Sequence, residues 1–300
     1  MRRLLYRFHL LPVERVPVPV VVVGNITVGG SGKTPLVLWL AESLRRLGFQ
    51  PGIISRGYGG KICAQMEVMS DSDPFMAGDE PVLLARRSGC PVWVGRNRTE
   101  AARALLKAHP ACNLILSDDG LQHYRLFRNV EIAVVDGERR FGNGCLLPAG
   151  PLREPVARLA AVDAVVVNGG SGEIPKCTKA GFTMRLAGAE FYNLADPTQR
   201  TKPQDFVDQV LHAVAGIGNP TRFFEHLRSL GLAITEHPFP DHHAFQPQEL
   251  DFPGVVLMTE KDGVKCARFA KVNYWVLAVE AEVEEELARL VAEKVRNCHG

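Results

Sequence analysis

The sequence has no closely spaced pair of cysteines and no HExxH segment, although it contains seven cysteines. Structural zinc sites draw their ligands from such pairs, and small secreted domains are held together by disulfide frameworks. The cysteines instead stand singly along the chain, at Cys63, Cys90, Cys112, Cys145, Cys177, Cys266 and Cys298. This distribution argues against a zinc site or a disulfide framework, and it predicts reduced thiols in a cytosolic compartment.

Long hydrophobic runs and a strong net charge are also missing. No segment approaches the roughly 18 apolar residues of a membrane-spanning helix. The net charge is only +2, so the composition gives no reason to expect nucleic acid as the main partner, and no obligate protein partner is inferred. With 300 residues, the chain has room for two domains of ordinary size or one large one.

The opening segment, residues 1–17, combines basic and apolar side chains. Arg2, Arg3 and Arg7 stand among leucines and aromatic residues. Such a segment can lie on an anionic membrane surface or form a helix that packs on the domain, and the sequence favours neither. It lacks the longer apolar region and the small-residue cleavage site of a signal peptide.

A strand, a glycine-rich loop and a helix are predicted to follow one another over residues 18–47. The β-branched run 20–23 predicts a strand buried on both faces. After the sequence GKT, apolar residues resume at helical spacing, at Leu36, Val37, Leu40, Leu44 and Leu47. Pro35 stands in the first turn of this helix and Gly48 at its end. This is the context of a phosphate-binding P-loop, which makes an ordinary turn the weaker interpretation.

The residue types of this loop suit the phosphates of a nucleotide. Glycines let backbone N–H groups turn inward, and the N-terminus of the following helix favours negative charge. The predicted nucleotide-binding residues form one segment: Thr27, Val28, Gly29, Gly30, Ser31, Gly32, Lys33 and Thr34. Lys33 would reach the β- and γ-phosphates, and the Thr34 hydroxyl would bind Mg²⁺. Thr27 departs from the strict pattern, which has glycine at that position.

Further candidate residues follow predicted strands. Asp118 and Asp119 end an apolar strand, as a Walker B acid does when it positions Mg²⁺, although Asp-Asp-Gly is also common in turns. Arg56 and Tyr58 lie in SRGYGG, which is either part of a ligand crevice or a plain loop. Arg153 lies in a long loop whose charged residues either meet an anionic ligand or are solvated.

Two segments leave more than one interpretation open. Asp79 and Glu80 directly precede a predicted helix, where acidic residues can simply cap its N-terminus. Asp241, His242 and His243 lie in a proline-containing loop. They could be catalytic, bind a metal or form a turn with exposed histidines, and the residue types alone favour the turn.

Strands that alternate with helices, without hairpin signals, predict a mainly parallel α/β sheet of P-loop NTPase type. A polar, glycine-containing connector over residues 169–181 breaks this alternation, and the sequence after it predicts two short strands around Gly188. We therefore predict a nucleotide-binding core domain over residues 1–176, a hinge or linker over 177–195 and a smaller α/β domain over 196–300.

Eight segments, in a fixed order, give the sequence a specific resemblance to a known family. They are VGNITVGGSGKTP, SRGYGG, AGDEP, SDDGLQH, PAGPLREP, GIGNPTRFF, FPDHHAF and MTEKDGVKC. From about residue 18 to its C-terminus, the chain resembles the tetraacyldisaccharide 4'-kinases, which also carry threonine at the position of Thr27. The resemblance implies that ATP and Mg²⁺ are used to phosphorylate the 4'-hydroxyl of the lipid A disaccharide precursor, tetraacyldisaccharide 1-phosphate. It also implies two α/β/α domains with mainly parallel sheets, joined by a short two-stranded hinge and closing on the active site between them.

The resemblance also implies roles for individual residues. Asp79 and His242 match the family's catalytic dyad, in which a carboxylate oriented by a histidine activates the sugar hydroxyl after the domains close. Lys33, with Mg²⁺, neutralises charge on the transferring phosphoryl group. Asp118 and Asp119 match the family's acidic pair near the metal. The candidates for substrate contact are Arg56, Tyr58 and Arg153.

An acylated substrate implies a peripheral enzyme on the cytoplasmic face of the inner membrane. Many members of the family begin with a hydrophobic helix that docks there, whereas only about seventeen residues precede the P-loop strand in this sequence. We therefore expect weaker attachment, or attachment through residues 1–17.

Two rival interpretations remain. A GTPase or metallochaperone-type regulator would carry NKxD, but the nearest segment, TEKD at residues 259–262, lacks the required residues. A nucleotide-dependent structural protein would not need a second domain with an acid–histidine loop.

Overall fold

The computed structural model describes residues 5–6, 10–61 and 64–299. We call residues 20–168 the N-terminal part. Its strands are β1 (Val20–Gly24), β2 (Pro51–Ser55), β3 (Met66–Val68), β4 (Val92–Val94), β5 (Leu114–Ser117), β6 (Val130–Asp136) and β7 (Ala164–Asn168). Its helices are α1 (Lys33–Arg46), α2 (Pro74–Ala77), α3 (Asp79–Ser88) and α4 (Arg98–Ala108).

Two long strands, β8 (Gly181–Asn193) and β13 (Tyr274–Val283), form an antiparallel pair that we call the ribbon. Residues 200–266, between these strands, form the C-terminal part. Its strands are β9 (Arg200–Thr201), β10 (Leu211–Ala215), β11 (Ile234–Pro238) and β12 (Val255–Thr259), and its helices are α5 (Pro220–Ser229) and α6 (Glu260–Cys266). The last α-helix, α7 (Glu285–Arg296), follows the ribbon.

The thirteen described strands form one sheet, in the order β11-β10-β12-β13-β8-β7-β6-β1-β5-β2-β4-β3, with β9 beside β8. Neighbouring strands are parallel except in the pairs β3–β4, β8–β9 and β8–β13. The predicted mainly parallel α/β fold is therefore confirmed. In a parallel sheet the carboxyl ends of neighbouring strands meet at one edge, where the loops that follow them can form a shared site.

Strand β1 lies between β5 and β6, and all five of its residues are buried, as the β-branched run predicts. Val21 shares a core cluster with Leu40 of α1 on one face of the sheet. On the other face, Val22 shares a cluster with Leu105 of α4. Burial of each such side chain contributes about 1.5–3 kcal/mol, so packing on both faces fixes the strand from which the glycine loop emerges.

The ribbon joins the two parts of the sheet. Strand β8 pairs with β7 of the N-terminal part, while β13 pairs with β12 of the C-terminal part. The expectation of two short strands around Gly188 is wrong, because β8 is one strand of 13 residues. Its antiparallel partner comes from the end of the chain, and a local turn signal cannot reveal such a pairing. The division into residues 1–176, 177–195 and 196–300 stays a prediction.

The last helix returns to the N-terminal part. Leu287, Val291 and Val295 of α7 belong to the same buried cluster as α1 and β1. Within the described ranges, no helix is long and apolar enough to cross a membrane. Cys63 and the basic residues Arg2, Arg3 and Arg7 lie outside the described residues, so the proposed membrane contact of residues 1–17 stays a prediction. The six described cysteines are free thiols.

Candidate active site

The glycine loop connects β1 to α1 and is held by two asparagines. Asn25 donates to the Ser31 hydroxyl at 3.1 Å, and Asn168, the last residue of β7, donates to the Ser31 carbonyl at 3.1 Å. Gly32 has a φ of +89°, and a Cβ there would lie only 2.4 Å from Asn168 Nδ2. Glycine is therefore required at this position for two reasons, backbone conformation and close packing. Lys33 follows as the first residue of α1.

A cleft of about 380 Å³ opens in front of this loop, and both parts of the chain line it. The N-terminal part contributes residues 30–34, and the C-terminal part contributes residues 217–219 and 259–261. Its apolar lining consists of Leu38, Leu83, Leu186, Ile217, Phe223, Leu277 and Val279, with Pro35 beside them. A pocket with an apolar wall and a phosphate-binding loop at one end suits a nucleotide.

The two neighbouring aspartates after β5 have different surroundings. The Asp118 side chain is fully buried, and its Oδ1 atom has no hydrogen-bond partner among the described residues, whereas Oδ2 lies 3.5 Å from the Ser55 hydroxyl. Burial raises the pKa of Asp118 to about 7, and the charges of Glu80 and Asp119 act in the same direction. Burial of a carboxylate oxygen without a hydrogen-bond partner costs free energy unless a cation or a hydrogen-bond donor binds it.

Asp119, by contrast, is paired within the chain. Both of its carboxylate oxygens lie 3.1 Å from Arg153 Nη1, and its Oδ1 atom lies 3.7 Å from Lys33 Nζ. Burial opposes ionisation, but the charges of Lys33 and Arg153 outweigh it and lower the pKa of Asp119. Of the two aspartates predicted to bind the metal, only Asp118 therefore presents a carboxylate oxygen without a hydrogen-bond partner among the described residues.

Asp79 and His242 are in contact. His242 Nδ1 lies 3.0 Å from Asp79 Oδ2 and 3.2 Å from Oδ1, although the residues are 163 positions apart. Asp79 is the first residue of α3, not a residue before the helix, and it is 4% exposed. Gly78 precedes it with a φ of +94°, and a Cβ there would lie 2.8 Å from the Tyr58 carbonyl oxygen. That glycine lets the SRGYGG loop approach the start of α3.

His242 is not an exposed turn histidine, because its side chain is only 20% exposed. It has a φ of +60°, the left-handed region that residues other than glycine rarely adopt. Burial lowers its pKa, but the hydrogen bond and charge of Asp79 outweigh burial and raise it. The neighbouring His243 instead lies 3.0 Å from Glu249 and has no described contact with Asp79.

Lys261 completes this cluster from the start of α6. Its Nζ atom lies 3.2 Å from Glu80 Oε1, 3.2 Å from Asp241 Oδ1 and 3.9 Å from Asp79 Oδ2. It also lies 3.5 Å from His242 Nε2. Burial acts to lower the pKa of Lys261, but the three carboxylates outweigh it and raise that pKa, so the ammonium stays charged.

A second cavity, of about 540 Å³, lies on the other side of the dyad. Asp79 and His242 line it together with Gly59, Phe75 and Lys265. The ring of Tyr58 is 5.0 Å from the His242 ring, centroid to centroid. Tyr58 therefore lies beside the dyad. Arg56 is exposed, and Arg153 lies at the acidic pair through its contacts with Asp119.

Sequence reasoning missed two residues that line the cleft, although it named Arg139, which donates to the backbone carbonyls of Gly30 and Gly218. Asn168 is the last residue of β7, and Lys261 follows β12. The available signal was their position, since each lies at or just beyond the carboxyl end of a parallel strand. The TEKD segment, which lacks the residues of a guanine-binding motif, supplies Lys261 to the site.

The fold and this loop define a class, an α/β protein of P-loop NTPase type with a cleft between two parts of the chain. A family model described as tetraacyldisaccharide-1-P 4'-kinase matches residues 1–296. The tetraacyldisaccharide 4'-kinase of Methylobacillus flagellatus is 53% identical over 293 residues, which cover 97% of this chain and 86% of that protein. The one from Nitrosococcus oceani is 54% identical over 284 residues, which cover 93% of this chain and 80% of that protein.

A solved structure is similar as well. LpxK from Aquifex aeolicus in complex with ATP aligns with a TM-score of 0.81 and 29% identity, over 98% of this chain and 94% of that one. The chain belongs to the tetraacyldisaccharide-1-P 4'-kinase family, and it is an enzyme, a kinase of lipid A biosynthesis. This assignment overturns the GTPase and the structural-protein interpretations.

Proposed function

We propose that this kinase transfers the γ-phosphoryl group of ATP to the 4'-hydroxyl of tetraacyldisaccharide 1-phosphate, with the Asp79–His242 pair activating that hydroxyl. The contact between these two side chains, between the nucleotide cleft and the second cavity, is the observation that carries the proposal. The relatives are named for this reaction, and the solved LpxK binds ATP.

The pair supplies what a sugar hydroxyl needs to attack phosphorus. Such a hydroxyl is a weak nucleophile, and a carboxylate within hydrogen-bond reach can accept its proton during the attack. The pKa of Asp79 is lowered, because the hydrogen bond to His242 and the charge of Lys261 outweigh burial. Asp79 is therefore ionised and ready to accept a proton near neutral pH, and His242 orients it. The coupled pair shares its titration, so the proton belongs to the pair.

The nucleotide is bound by the glycine loop and Lys33. Residues 27–34 offer the phosphates the N-terminus of α1 and backbone N–H groups other than that of Val28, which donates to the Pro151 carbonyl. Lys33, whose side chain is 10% exposed and pairs with Asp119, neutralises charge on the transferring group. The cleft excludes water from the phosphates once both parts surround the nucleotide, which suppresses hydrolysis of ATP.

The residues also fit Mg²⁺. Asp118 presents a buried carboxylate oxygen without a hydrogen-bond partner, and Thr34 lines the cleft at the start of α1. No group of three His, Cys, Asp or Glu side chains in the described part of the chain could hold a metal alone. This suits Mg²⁺, which usually takes one or two protein ligands and completes its shell with phosphates and water. Bound there, Mg²⁺ would neutralise phosphate charge.

The acceptor is proposed to enter through the second cavity. The Tyr58 ring lies 5.0 Å from the His242 ring, and Phe75 lines the cavity. Both side chains are exposed, as are Met69 and Met76 close to Phe75 in the sequence. An apolar rim suits an acylated substrate that stays in a lipid surface. We therefore propose peripheral attachment to the cytoplasmic face of the inner membrane, with Arg56 and Arg153 as further substrate contacts.

The test is phosphoryl transfer from γ-labelled ATP to tetraacyldisaccharide 1-phosphate in detergent micelles. Asp79→Asn removes the proton acceptor, so we expect kcat to fall by a factor on the order of 10²–10⁴. His242→Ala should lower kcat less than Asp79→Asn, because the carboxylate remains. Lys33→Ala should lower kcat strongly as well.

The matched control is His109→Ala. His109 Nε2 lies 2.6 Å from Glu67 Oε1, which is the same kind of acid–histidine pair but lines neither cavity. Its loss should change kcat by less than about threefold. If Asp79→Asn retains wild-type kcat, the dyad is not the base. If the wild type binds ATP but phosphorylates no disaccharide, the proposed acceptor is wrong.

A further inference from the structure

Lys261 stands where the two cavities meet. It lines the nucleotide cleft together with residues 30–34 of the glycine loop. Its ammonium also lies 3.5 Å from His242 Nε2 and 3.9 Å from Asp79 Oδ2, the two side chains that line the second cavity. A phosphoryl group transferred from a nucleotide in the cleft to an acceptor in the second cavity would therefore come close to this ammonium.

The charges around this junction call for a cation. Asp79, Glu80 and Asp241 bring three carboxylates within 3.9 Å of the Lys261 ammonium. A terminal phosphate that approaches Asp79 adds further negative charge, and like charges in a partly buried site repel strongly. Lys33, which also lines the cleft, pairs with Asp119 in the N-terminal part. Lys261 therefore offers positive charge on the acceptor side.

We propose that Lys261 is a further catalytic residue, which binds the γ-phosphoryl group from the acceptor side of the cleft. The P-loop lysine comes from the N-terminal part and Lys261 from the C-terminal part, so the phosphoryl group is contacted from both. This assignment rests on the proposed function for the direction of transfer, but its main test uses the nucleotide alone.

A second ion pair between α3 and α6 provides a control for a purely structural role of Lys261. The residue before Lys261, Glu260, is 4% exposed and pairs with Arg87 at the other end of α3. The pairs Arg87–Glu260 and Glu80–Lys261 both connect α3 to α6 across the boundary between the two parts. Arg87, however, does not line the nucleotide cleft. Its loss removes an ion pair across the boundary without removing a cation from the cleft.

The experiment measures the dissociation constants of ATP and ADP, each with Mg²⁺, by calorimetry. The variants are Lys261→Met, Lys261→Arg and the control Arg87→Met. ADP lacks the γ-phosphate, so loss of a charge-assisted contact to that group weakens ATP binding and spares ADP. We expect Lys261→Met to reduce the preference for ATP over ADP about tenfold and Lys261→Arg to restore part of it. Arg87→Met should keep the wild-type preference.

The turnover number kcat provides a second test of the proposal. With the disaccharide acceptor, Lys261→Met should lower kcat by a factor on the order of 10².

An unchanged preference for ATP over ADP in folded Lys261→Met would overturn the proposal. An equal loss of that preference in Arg87→Met would also overturn it, since contact between the two parts alone would then explain the loss. If Lys261→Met does not fold, Lys261→Arg decides. Retention of at least part of the preference for ATP in that variant would support the contact, and a complete loss of the preference would contradict it. Failure of the disaccharide as acceptor would overturn the proposed function and leave the nucleotide comparison intact.

Discussion

Asp79 and His242 depend on each other for their charge states. The hydrogen bond from His242 and nearby positive charges lower the pKa of Asp79 from its ordinary 3.8, against the effect of burial. The hydrogen bond and charge of Asp79 raise the pKa of His242 from its ordinary 6.5, again against burial. The stability that Asp79 contributes to the folded state is present above the pKa of Asp79 in the unfolded chain. It is lost as pH falls through the pKa of Asp79 in the folded state. The stability that His242 contributes to the folded state is present below the pKa of His242 in the unfolded chain. It is lost as pH rises through the pKa of His242 in the folded state.

The two conditions overlap between about pH 4 and pH 6.5, where both groups are charged. A double-mutant cycle with Asp79→Asn and His242→Ala should therefore give its largest coupling, about 1–2 kcal/mol, in this window. The coupling should decrease toward pH 3 and toward pH 9 or so. Urea unfolding across this pH range measures it. A coupling that does not change with pH would mean that the pair is not ionic.

At the scale of elements, the ribbon contains a bulge that explains Gly188. Between two regular pairs, Ala187–Glu280 and Glu190–Ala278, strand β8 has two residues where β13 has one, Val279. The carbonyl of Gly188 lies 2.6 Å from His226 Nε2, and the Val279 N–H donates to Glu260 at 3.2 Å. Helices α5 and α6 thus satisfy the backbone groups that the bulge leaves without strand partners.

This geometry leaves no room for a side chain at Gly188, since a Cβ there would lie 2.1 Å from the Ala278 carbonyl oxygen. Gly188→Ala must push the two strands apart, and we expect it to lower the free energy of unfolding by about 1–3 kcal/mol. The neighbouring Ala189 is exposed, so Ala189→Ser is the control and should change that free energy by less than about 0.5 kcal/mol. Urea denaturation of both variants is the measurement. Equal stability of Gly188→Ala and wild type would show that the ribbon relaxes without cost.

For the whole molecule, the cleft matters because both parts of the chain line it. Residues 30–34 and residues 259–261 belong to the N-terminal and C-terminal parts and face the same space. A nucleotide bound there contacts both parts, so its binding free energy should stabilise the molecule as a unit. The Asp79–His242 pair and the Lys261–Glu80 contact already connect the two parts.

We expect ATP with Mg²⁺, at about 100 times its dissociation constant, to stabilise the wild type by about 2.7 kcal/mol. Lys33→Ala should lose most of this effect at the same ATP concentration, because its affinity for the phosphates falls. Lys271→Ala is the control, since Lys271 pairs with Asp251 and lines neither cavity. Thermal unfolding with and without ATP measures the shift in Tm. A Lys33→Ala variant with a wild-type shift would contradict binding at the glycine loop.

The sequence by itself determined the features that depend on neighbouring residues. The β-branched run, the glycines and the amphipathic helix predicted β1, the loop and α1, because each has a local periodicity or backbone requirement. Asp118 and Asp119 were recognised in the same way, as acids directly after an apolar strand. The sequence left open which of the two aspartates has a carboxylate oxygen free, because the partners of Asp119 lie 34 and more positions away.

Tertiary structure alone decided what depends on distant contacts. The ribbon pairs β8 with β13, and no local pattern encodes a strand partner about ninety positions away. Asp79 and His242 were linked in the sequence only through a family resemblance, whereas the fold brings them within 3.0 Å. Lys261 lies in MTEKDGVKC, one of the segments that carry the resemblance, but no role was predicted for it. It lines the cleft because the order of the strands brings α6 against α3. Chain direction and strand order, which bring distant strand ends to one edge, decided these contacts.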